Sequence, residues 1–392
     1  MEPQDILAAI VLASLAAWLG VLLLPWGPWR TRQVLEKLPE SGLQPRISAE
    51  VSDPSIFSVD LSDVTVVIPA RDEAEVIQET LAALVDQGVG LRVVLVDDRS
   101  QDGTTEVARR VAGIDLNIVA GEPLPAGWAG KLWALEQGLR RANTRWILLL
   151  DADIQLSPGV LYALRQVAET LDRPFVSIMA ALPMNSFWEK LLMPAFIYFF
   201  KMLYPFSLSN SPDRRFGSAA GGCILVERRL LAAIGGLESI REQLIDDCAL
   251  AKRVKRFGFR TWTGQSRLVT STRGYAGLGG IWDMVARSAY TQLGYSPFIL
   301  LVTTLALGVL FFGPLAGLLQ AVTSLRLAGL GAWLAMSLSY MPTLRFYERS
   351  PLWALAMPLT GALYLAMTWT SAFRYYRGVR SSWKGRSYRR GY

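Results

Sequence analysis

Apolar residues are clustered along this chain, and the clusters come in two lengths. Ile6 to Leu24 is an uncharged run long enough to span a bilayer. From Val64 the apolar runs shorten and alternate with amphipathic stretches. Beyond Pro297 the chain is apolar again to about Phe373, broken by Arg326 and by Arg345 to Arg349. This pattern predicts an anchor, an α/β domain and a membrane unit, in that order.

The alternating region predicts strands at Val64–Ile68, Arg92–Val96, Leu116–Val119, Trp146–Leu150, Phe175–Ala180 and Ile224–Val226. Helices are predicted at Glu75–Asp86, Thr104–Val111, Lys131–Ala142 and Pro158–Thr170, the last opened by Ser157 as its cap. Alternation of this kind implies an α/β fold with a mostly parallel sheet covered by helices. Trp146–Leu150 is wholly apolar, as expected of a central strand buried on both faces. Residues 187–206 are rich in aromatics with well-separated charges. That composition supports an in-plane helix at a membrane surface over a buried core helix.

Three further spans are predicted at Phe298–Gln320, Leu327–Met341 and Leu352–Ala372; the middle one is short, so tilted or interfacial. At the N-terminus, Glu2 and Asp5 stand where a signal peptide would be basic, and Pro25-Trp26-Gly27-Pro28-Trp29 follows the run. A retained anchor over 1–29 is the better reading, followed by a linker over 30–62. The α/β domain then covers 63–295, the membrane helices 296–373 and a basic tail 374–392.

Net charge is +7, and Arg374, Arg377, Arg380, Lys384, Arg386, Arg389 and Arg390 lie in the tail with no acid among them. Such a flank suits a cytoplasmic surface rich in anionic lipid and not nucleic acid. Arg30 and Arg32 assign the same side to the end of the first span. Three full crossings after a cytoplasmic domain would put the tail outside, so either one C-terminal segment is re-entrant, the favoured reading, or the tail breaks the positive-inside rule. The chain has no histidine, which excludes His-dependent triads, His-containing zinc sites and an imidazole base. Proton transfer falls to carboxylates, Lys, Tyr or Cys. Two cysteines, Cys223 and Cys248, make no disulfide framework and read as packing residues.

Candidate chemistry lies at the ends of the predicted elements. Asp151-Ala152-Asp153 ends the most apolar strand. Open α/β sheets bind ligands at the carboxyl ends of strands, and two hard oxygen donors one residue apart suit Mg²⁺ or Mn²⁺ on a diphosphate. The first strand runs into Pro69-Ala70-Arg71-Asp72-Glu73, which serves either as a nucleotide-binding turn or as an ordinary polar cap. Val96-Asp97-Asp98-Arg99-Ser100-Gln101-Asp102-Gly103-Thr104 offers acids for a base N–H or ribose hydroxyls. Lys131, at a helix N-terminus, either faces a phosphate or is solvated. Gly221 and Gly222 let a substrate approach backbone, though a turn before a buried strand would use them equally. Asp246 and Asp247 open a helix and serve as dipole partners or, with one pKa raised by the other, as a general base. Arg287 suits a leaving diphosphate and a juxtamembrane lipid contact alike.

The set VVIPARDE, DDRSQDGT, DAD and IDDCALAKRVKRFGF, in this order, resembles family 2 glycosyltransferases of the GT-A fold over roughly Val64 to Tyr295. The anchor, catalytic region and C-terminal spans together resemble the hopene-associated glycosyltransferases of hopanoid biosynthesis. Related membrane enzymes glycosylate carotenoid acids and ceramides. The resemblance implies that Asp72 and Asp98 bind base and ribose. It implies that Asp151 contacts ribose or metal, that Asp153 holds the metal, and that Asp247 deprotonates the acceptor. Asp246 departs mildly from the Glu of the family's acid pair. The Q-x-x-R-W motif of processive members is absent from the sequence. The expected function is a metal-dependent, inverting, non-processive hexosyl transfer from a nucleotide-sugar, foremost a UDP-sugar, to a lipid hydroxyl at the cytoplasmic face of the plasma membrane. A polyprenyl-phosphate acceptor, a nucleotidyltransferase and a non-catalytic membrane scaffold are the competing readings.

Overall fold

The computed structural model describes residues 2–37, 58–383 and 386–389. Most of the expected 30–62 linker, Lys384 and Arg390 of the tail lie outside them.

Helix α1 (Pro3–Leu23) comes first. The α/β domain then runs β1 (Val64–Ala70), α2 (Ile77–Val85), β2 (Arg92–Asp97), α3 (Thr104–Ala108), β3 (Asp115–Ala120), α4 (Gly130–Leu139), β4 (Trp146–Leu150), β5 (Ile154–Leu156) and α5 (Val160–Thr170). It continues through β6 (Phe175–Ala181), α6 (Phe187–Leu203), α7 (Phe206–Ser209), β7 (Cys223–Glu227), α8 (Arg228–Ala233), α9 (Asp246–Arg256) and β8 (Thr261–Ser271). Then follow α10 (Leu278–Ala286), α11 (Ala289–Gln292), α12 (Pro297–Leu318), α13 (Thr323–Phe346) and α14 (Met357–Tyr376). A two-stranded antiparallel ribbon, β9 (Val379–Trp383) with β10 (Arg386–Arg389), comes last.

Eight strands form one sheet in the order β3-β2-β1-β4-β7-β6-β8-β5. Strands β1 to β4 pair parallel, as the alternation predicted. The other half departs from the mostly parallel expectation. Strand β7 is antiparallel to both β4 and β6, and β5 to β8, so the sheet is mixed. Hydrophobic pattern encodes burial and not strand direction, which explains the difference. Strand β8 was not predicted, because Thr261, Thr263, Gln265 and Ser266 break its apolar pattern. All four are buried, and Thr261 and Thr263 are satisfied by the Ser209 and Ser218 carbonyls. Every residue of β1 and β4 is buried, with a separate apolar cluster on each face.

Helix α6 is capped by Ser186 and buries Leu191, Leu192, Met193, Ile197 and Tyr198. It packs between the α/β domain and the membrane helices, so it is an internal layer and not a helix lying free on a surface. Phe187 and Leu203, at its two ends, stay exposed.

Among the described residues, three helices are long and apolar enough to cross a membrane: Pro3–Leu23, Pro297–Leu318 and Pro351–Tyr376. The expected short middle span is instead the continuous 24-residue α13. It runs antiparallel to α12, with Gly317 against Gly329, where a Cβ on either would lie under 3.0 Å from the other's backbone. Small residues at such crossings let membrane helices pack closely. Glu348, just before segment 351–376, pairs with Arg267 of β8, and Arg374, near its end, pairs with Asp283 of α10 at 2.6 Å. Between them Gly361 sits on the Phe311 ring, deep along α12. Both ends of 351–376 therefore lie against the α/β domain.

Candidate active site

The β4–β7 register builds the centre of the site. Leu150 pairs with Cys223, which sets Asp151 opposite Gly222; the Asp151 N–H donates to the Gly222 carbonyl at 3.0 Å. A Cβ on Gly221 would lie 3.3 Å from Asp247, so glycine there lets the start of α9 close on the strand ends. The start of α4 is tied to the segment before α9, the Ala129 N–H donating to the Arg241 carbonyl at 2.7 Å. Lys131 Nζ is thereby 2.7 Å from Asp151 Oδ1 and 3.9 Å from Asp246 Oδ2.

Lys131, Asp151, Gly221, Asp246 and Asp247 line one cleft, backed by leucines of α4, β4 and α9. Burial and the neighbouring Asp246 carboxylate push the Asp247 carboxyl up to about 7. Burial likewise raises Asp151, against the pull of Lys131. Burial opposes the Lys131 charge, but the Asp151 and Asp246 carboxylates overcome it and hold the ammonium firmly protonated. One carboxyl is thus poised to exchange a proton near neutrality, beside a fixed cation.

Asp153 points to a neighbouring position. Its Oδ2 accepts from the Ser271 hydroxyl at 2.8 Å and faces Arg273 Nε at 3.4 Å. The same guanidinium pairs with Glu73. The loop bearing Arg273 is fixed by Glu189 of α6, which accepts from the Tyr275 N–H at 2.8 Å. Sequence reasoning did not find the Glu73–Arg273–Asp153 bridge, because its members are brought together by β5–β8 pairing across a long stretch of chain.

The first two acidic loops interlock. Asp72 and Arg99 adopt left-handed backbone. The Asp72 N–H donates to the Ser100 hydroxyl and its carboxylate accepts from the Gln101 N–H. The Glu73 N–H donates to the Thr104 hydroxyl. Asp98 is fully buried, with Arg71 Nη1 at 3.7 Å from its carboxylate and 2.7 Å from its carbonyl. Pro69 and Ala70 are buried residues of β1, not loop residues. Arg287 is exposed at the end of α10, outside the lined cleft. On α9, Leu250 and Val254 are buried, while Phe257, just past its end, is 52% exposed. Both cysteines are buried and free.

Among the described residues, no group of three or more His, Cys, Asp or Glu is placed to hold a metal ion. Asp151 and Asp153 supply two hard carboxylates one residue apart. That donor set fits a divalent cation shared with substrate phosphates, since Mg²⁺ commonly takes one or two carboxylates and completes its shell with phosphate and water.

Comparison with known proteins agrees with this geometry. The sequence profile of Glycosyl transferase family 2 matches residues 65–235. A 4,4'-diaponeurosporenoate glycosyltransferase of Staphylococcus aureus (strain bovine RF122 / ET3-1) is 26% identical over 351 residues, covering 83% of this chain and 88% of the relative. Its counterpart from strain USA300 is equally similar, 26% identical over the same shares. The solved mannosyltransferase PcManGT from Pyrobaculum calidifontis, in complex with GDP-Man and Mn²⁺, superposes with a TM-score of 0.52 at 19% identity. That superposition covers 94% of this chain and 98% of the other. Residues 65–235 thus resemble family 2 glycosyltransferases in sequence, and the mixed sheet that carries them is GT-A-like in fold.

Proposed function

We propose that this protein is a membrane-bound, inverting, non-processive glycosyltransferase that moves a hexose from a nucleotide-sugar to the hydroxyl of a lipid. The observation that carries the proposal is the cleft in which Asp247 stands with Asp246, Lys131, Asp151 and Gly221. The Staphylococcus relative, whose name gives a long-chain carotenoid acid as its substrate, supports a lipid-type acceptor. A hopanoid acceptor rests on the sequence resemblance. A UDP-sugar is the favoured donor, and the GDP-Man of the mannosyltransferase structure makes a GDP-sugar the first alternative to assay.

In this mechanism the donor diphosphate lies at the carboxyl end of β4, oriented by Lys131. The interlocked 71–73 and 98–103 loops carry the nucleoside, Arg71 and Asp72 framing its pocket and the buried Asp98 holding Arg71 in place. Asp247 accepts the proton of the acceptor hydroxyl. The acceptor oxygen then bonds to the anomeric carbon as the bond from that carbon to the diphosphate breaks, and configuration inverts. Lys131 neutralises part of the charge that builds on the leaving group. A divalent cation held by Asp153 and Asp151 would supply further neutralisation there when bound. The apolar leucine wall behind the cleft excludes water, which favours transfer over hydrolysis.

The chain ends near the α/β domain at Arg30, Arg32 and Arg374 support a cytoplasmic position for the catalytic domain. The direct test incubates membranes containing the protein with radiolabelled UDP-, GDP- and dTDP-sugars plus lipid extract, followed by mass spectrometry of the labelled lipid. Labelled lipid that disappears with Asp247→Asn supports the proposal. Absence of any labelled lipid with all three donors overturns it.

A further inference from the structure

A second cavity, of about 390 Å³, opens on the other side of the first turns of α9. Ile240 lines both this cavity and the acidic cleft, and Cys248, next in sequence to Asp247, lines it too. Its polar wall is formed by Lys252, Arg253 and Arg256 of α9, Gln243, Tyr204 and Gln292, and no carboxylate belongs to its lining. Arg253 is engaged: its Nε donates to the Ile234 carbonyl. The Lys252 ammonium lies 5.5 Å from the centre of the Tyr204 ring, and among the described residues no carboxylate pairs with Lys252 or Arg256. Lys252 and Arg256 are four residues apart, so they stand on one helix face, where like charges cost stability in the absence of a ligand. The helix dipole accounts for cations near the end of α9. It does not account for a cavity in front of them walled by Tyr204 and Gln292, the Tyr204 hydroxyl donating to Gln292 Oε1 and leaving the Gln292 amide N–H groups for a ligand.

The cavity also adjoins the membrane unit. Gln292 ends α11, just before α12, whose second residue Phe298 is 73% exposed. Leu203, next in sequence to the lining residue Tyr204, is 66% exposed. A basic groove whose lining has no carboxylate, with Lys252 and Arg256 exposed along it, thus opens next to residues that adjoin exposed apolar side chains at the start of α12.

We infer that this cavity binds the oxyanion headgroup, phosphate or carboxylate, of the lipid acceptor, and that Lys252 and Arg256 are its charge partners. The acceptor then enters with its chain along Leu203 and Phe298 and its headgroup beside α9. The oxygen that receives the sugar is delivered around Ile240 to Asp247. The inference rests on the glycosyltransferase reading and narrows it to an acceptor that carries an oxyanion near its reacting oxygen.

The test uses the full chain in phosphatidylcholine nanodiscs and measures binding of decyl phosphate, decanol and inorganic phosphate, with nucleotide-sugar binding followed separately by calorimetry. The expected result is decyl phosphate binding at least tenfold tighter than either control. In Lys252→Gln/Arg256→Gln it weakens at least tenfold, and in the charge-keeping Lys252→Arg/Arg256→Lys it is retained. Equal binding of decyl phosphate to wild type and to the glutamine variant overturns the inference, as does inorganic phosphate binding as tightly as decyl phosphate. Loss of decyl phosphate binding when phosphatidylglycerol replaces phosphatidylcholine also overturns it, by assigning the site to bulk lipid. Failure of wild type to bind any nucleotide-sugar would instead count against the enzymatic reading, while the anion measurement stands on its own.

Discussion

Lys131 Nζ stands 2.7 Å from Asp151 Oδ1, joining the first turn of α4 to the end of β4. It is also the cation nearest the acid pair that opens α9, 3.9 Å from Asp246. Replacing it with Met would leave these carboxylates facing one another in a half-buried cleft. Hydrogen bonds to charged groups contribute about 1.5–3 kcal/mol. Lys131→Met is expected to lower kcat/KM for the donor by about ten- to a hundredfold, each tenfold being about 1.4 kcal/mol. Donor binding by calorimetry checks it; unchanged affinity would remove Lys131 from the diphosphate site.

Asp247→Asn keeps the shape and removes the proton acceptor. General-base contributions are about 10²–10⁴-fold, so kcat should fall within that range with donor affinity nearly unchanged. Because the wild-type carboxyl is raised to about 7, the rate should decline as pH drops below that value, where Asp247 becomes protonated. A flat profile between pH 6 and 8 would argue against Asp247 as the base.

The same shift has a stability consequence with the opposite sign. A carboxyl whose folded pKa lies above its ordinary value of 3.8 binds more protons in the native state, so it costs stability progressively as pH rises from about 4 to 7. Asn carries no such cost. The Tm of Asp247→Asn relative to wild type should therefore improve from pH 5 to pH 8, which a thermal scan at both values reads directly.

Arg273 bridges Glu73 and Asp153, so it neutralises the carboxylate proposed to hold the cation. Arg273→Gln should tighten Mn²⁺ binding in the absence of donor, by about threefold to tenfold, as electrostatic competition is removed. It should also lower Tm, since Glu73, 8% exposed, loses its ion pair with Arg273. Paramagnetic resonance titration of Mn²⁺ measures the first effect; weaker Mn²⁺ binding would show that Arg273 orders the site and does not compete for it.

Gly317 and Gly329 let α12 and α13 touch backbone to backbone, a Cβ on Gly317 falling 2.6 Å from Gly329 Cα. Gly317→Val must push the helices apart, at a cost of about 1–3 kcal/mol for overpacking. The expected result is a lower Tm in detergent with donor affinity retained, because the donor cleft lies in the other layer.

Sequence alone was enough for the parallel half of the sheet, the acidic strand ends and the apolar runs. Each is written locally: burial on both faces makes a strand continuously apolar, and a charge that follows it marks a ligand-binding edge. Only the tertiary structure decided that β7 runs antiparallel between β4 and β6, which sets Gly222 opposite Asp151 and Gly221 against Asp247. It alone buried Asp98 under Arg71 and joined Glu73 to Asp153 through Arg273. It also set both ends of 351–376 against the α/β domain. Those relationships depend on strand direction and on contacts between distant segments, and no local periodicity carries either.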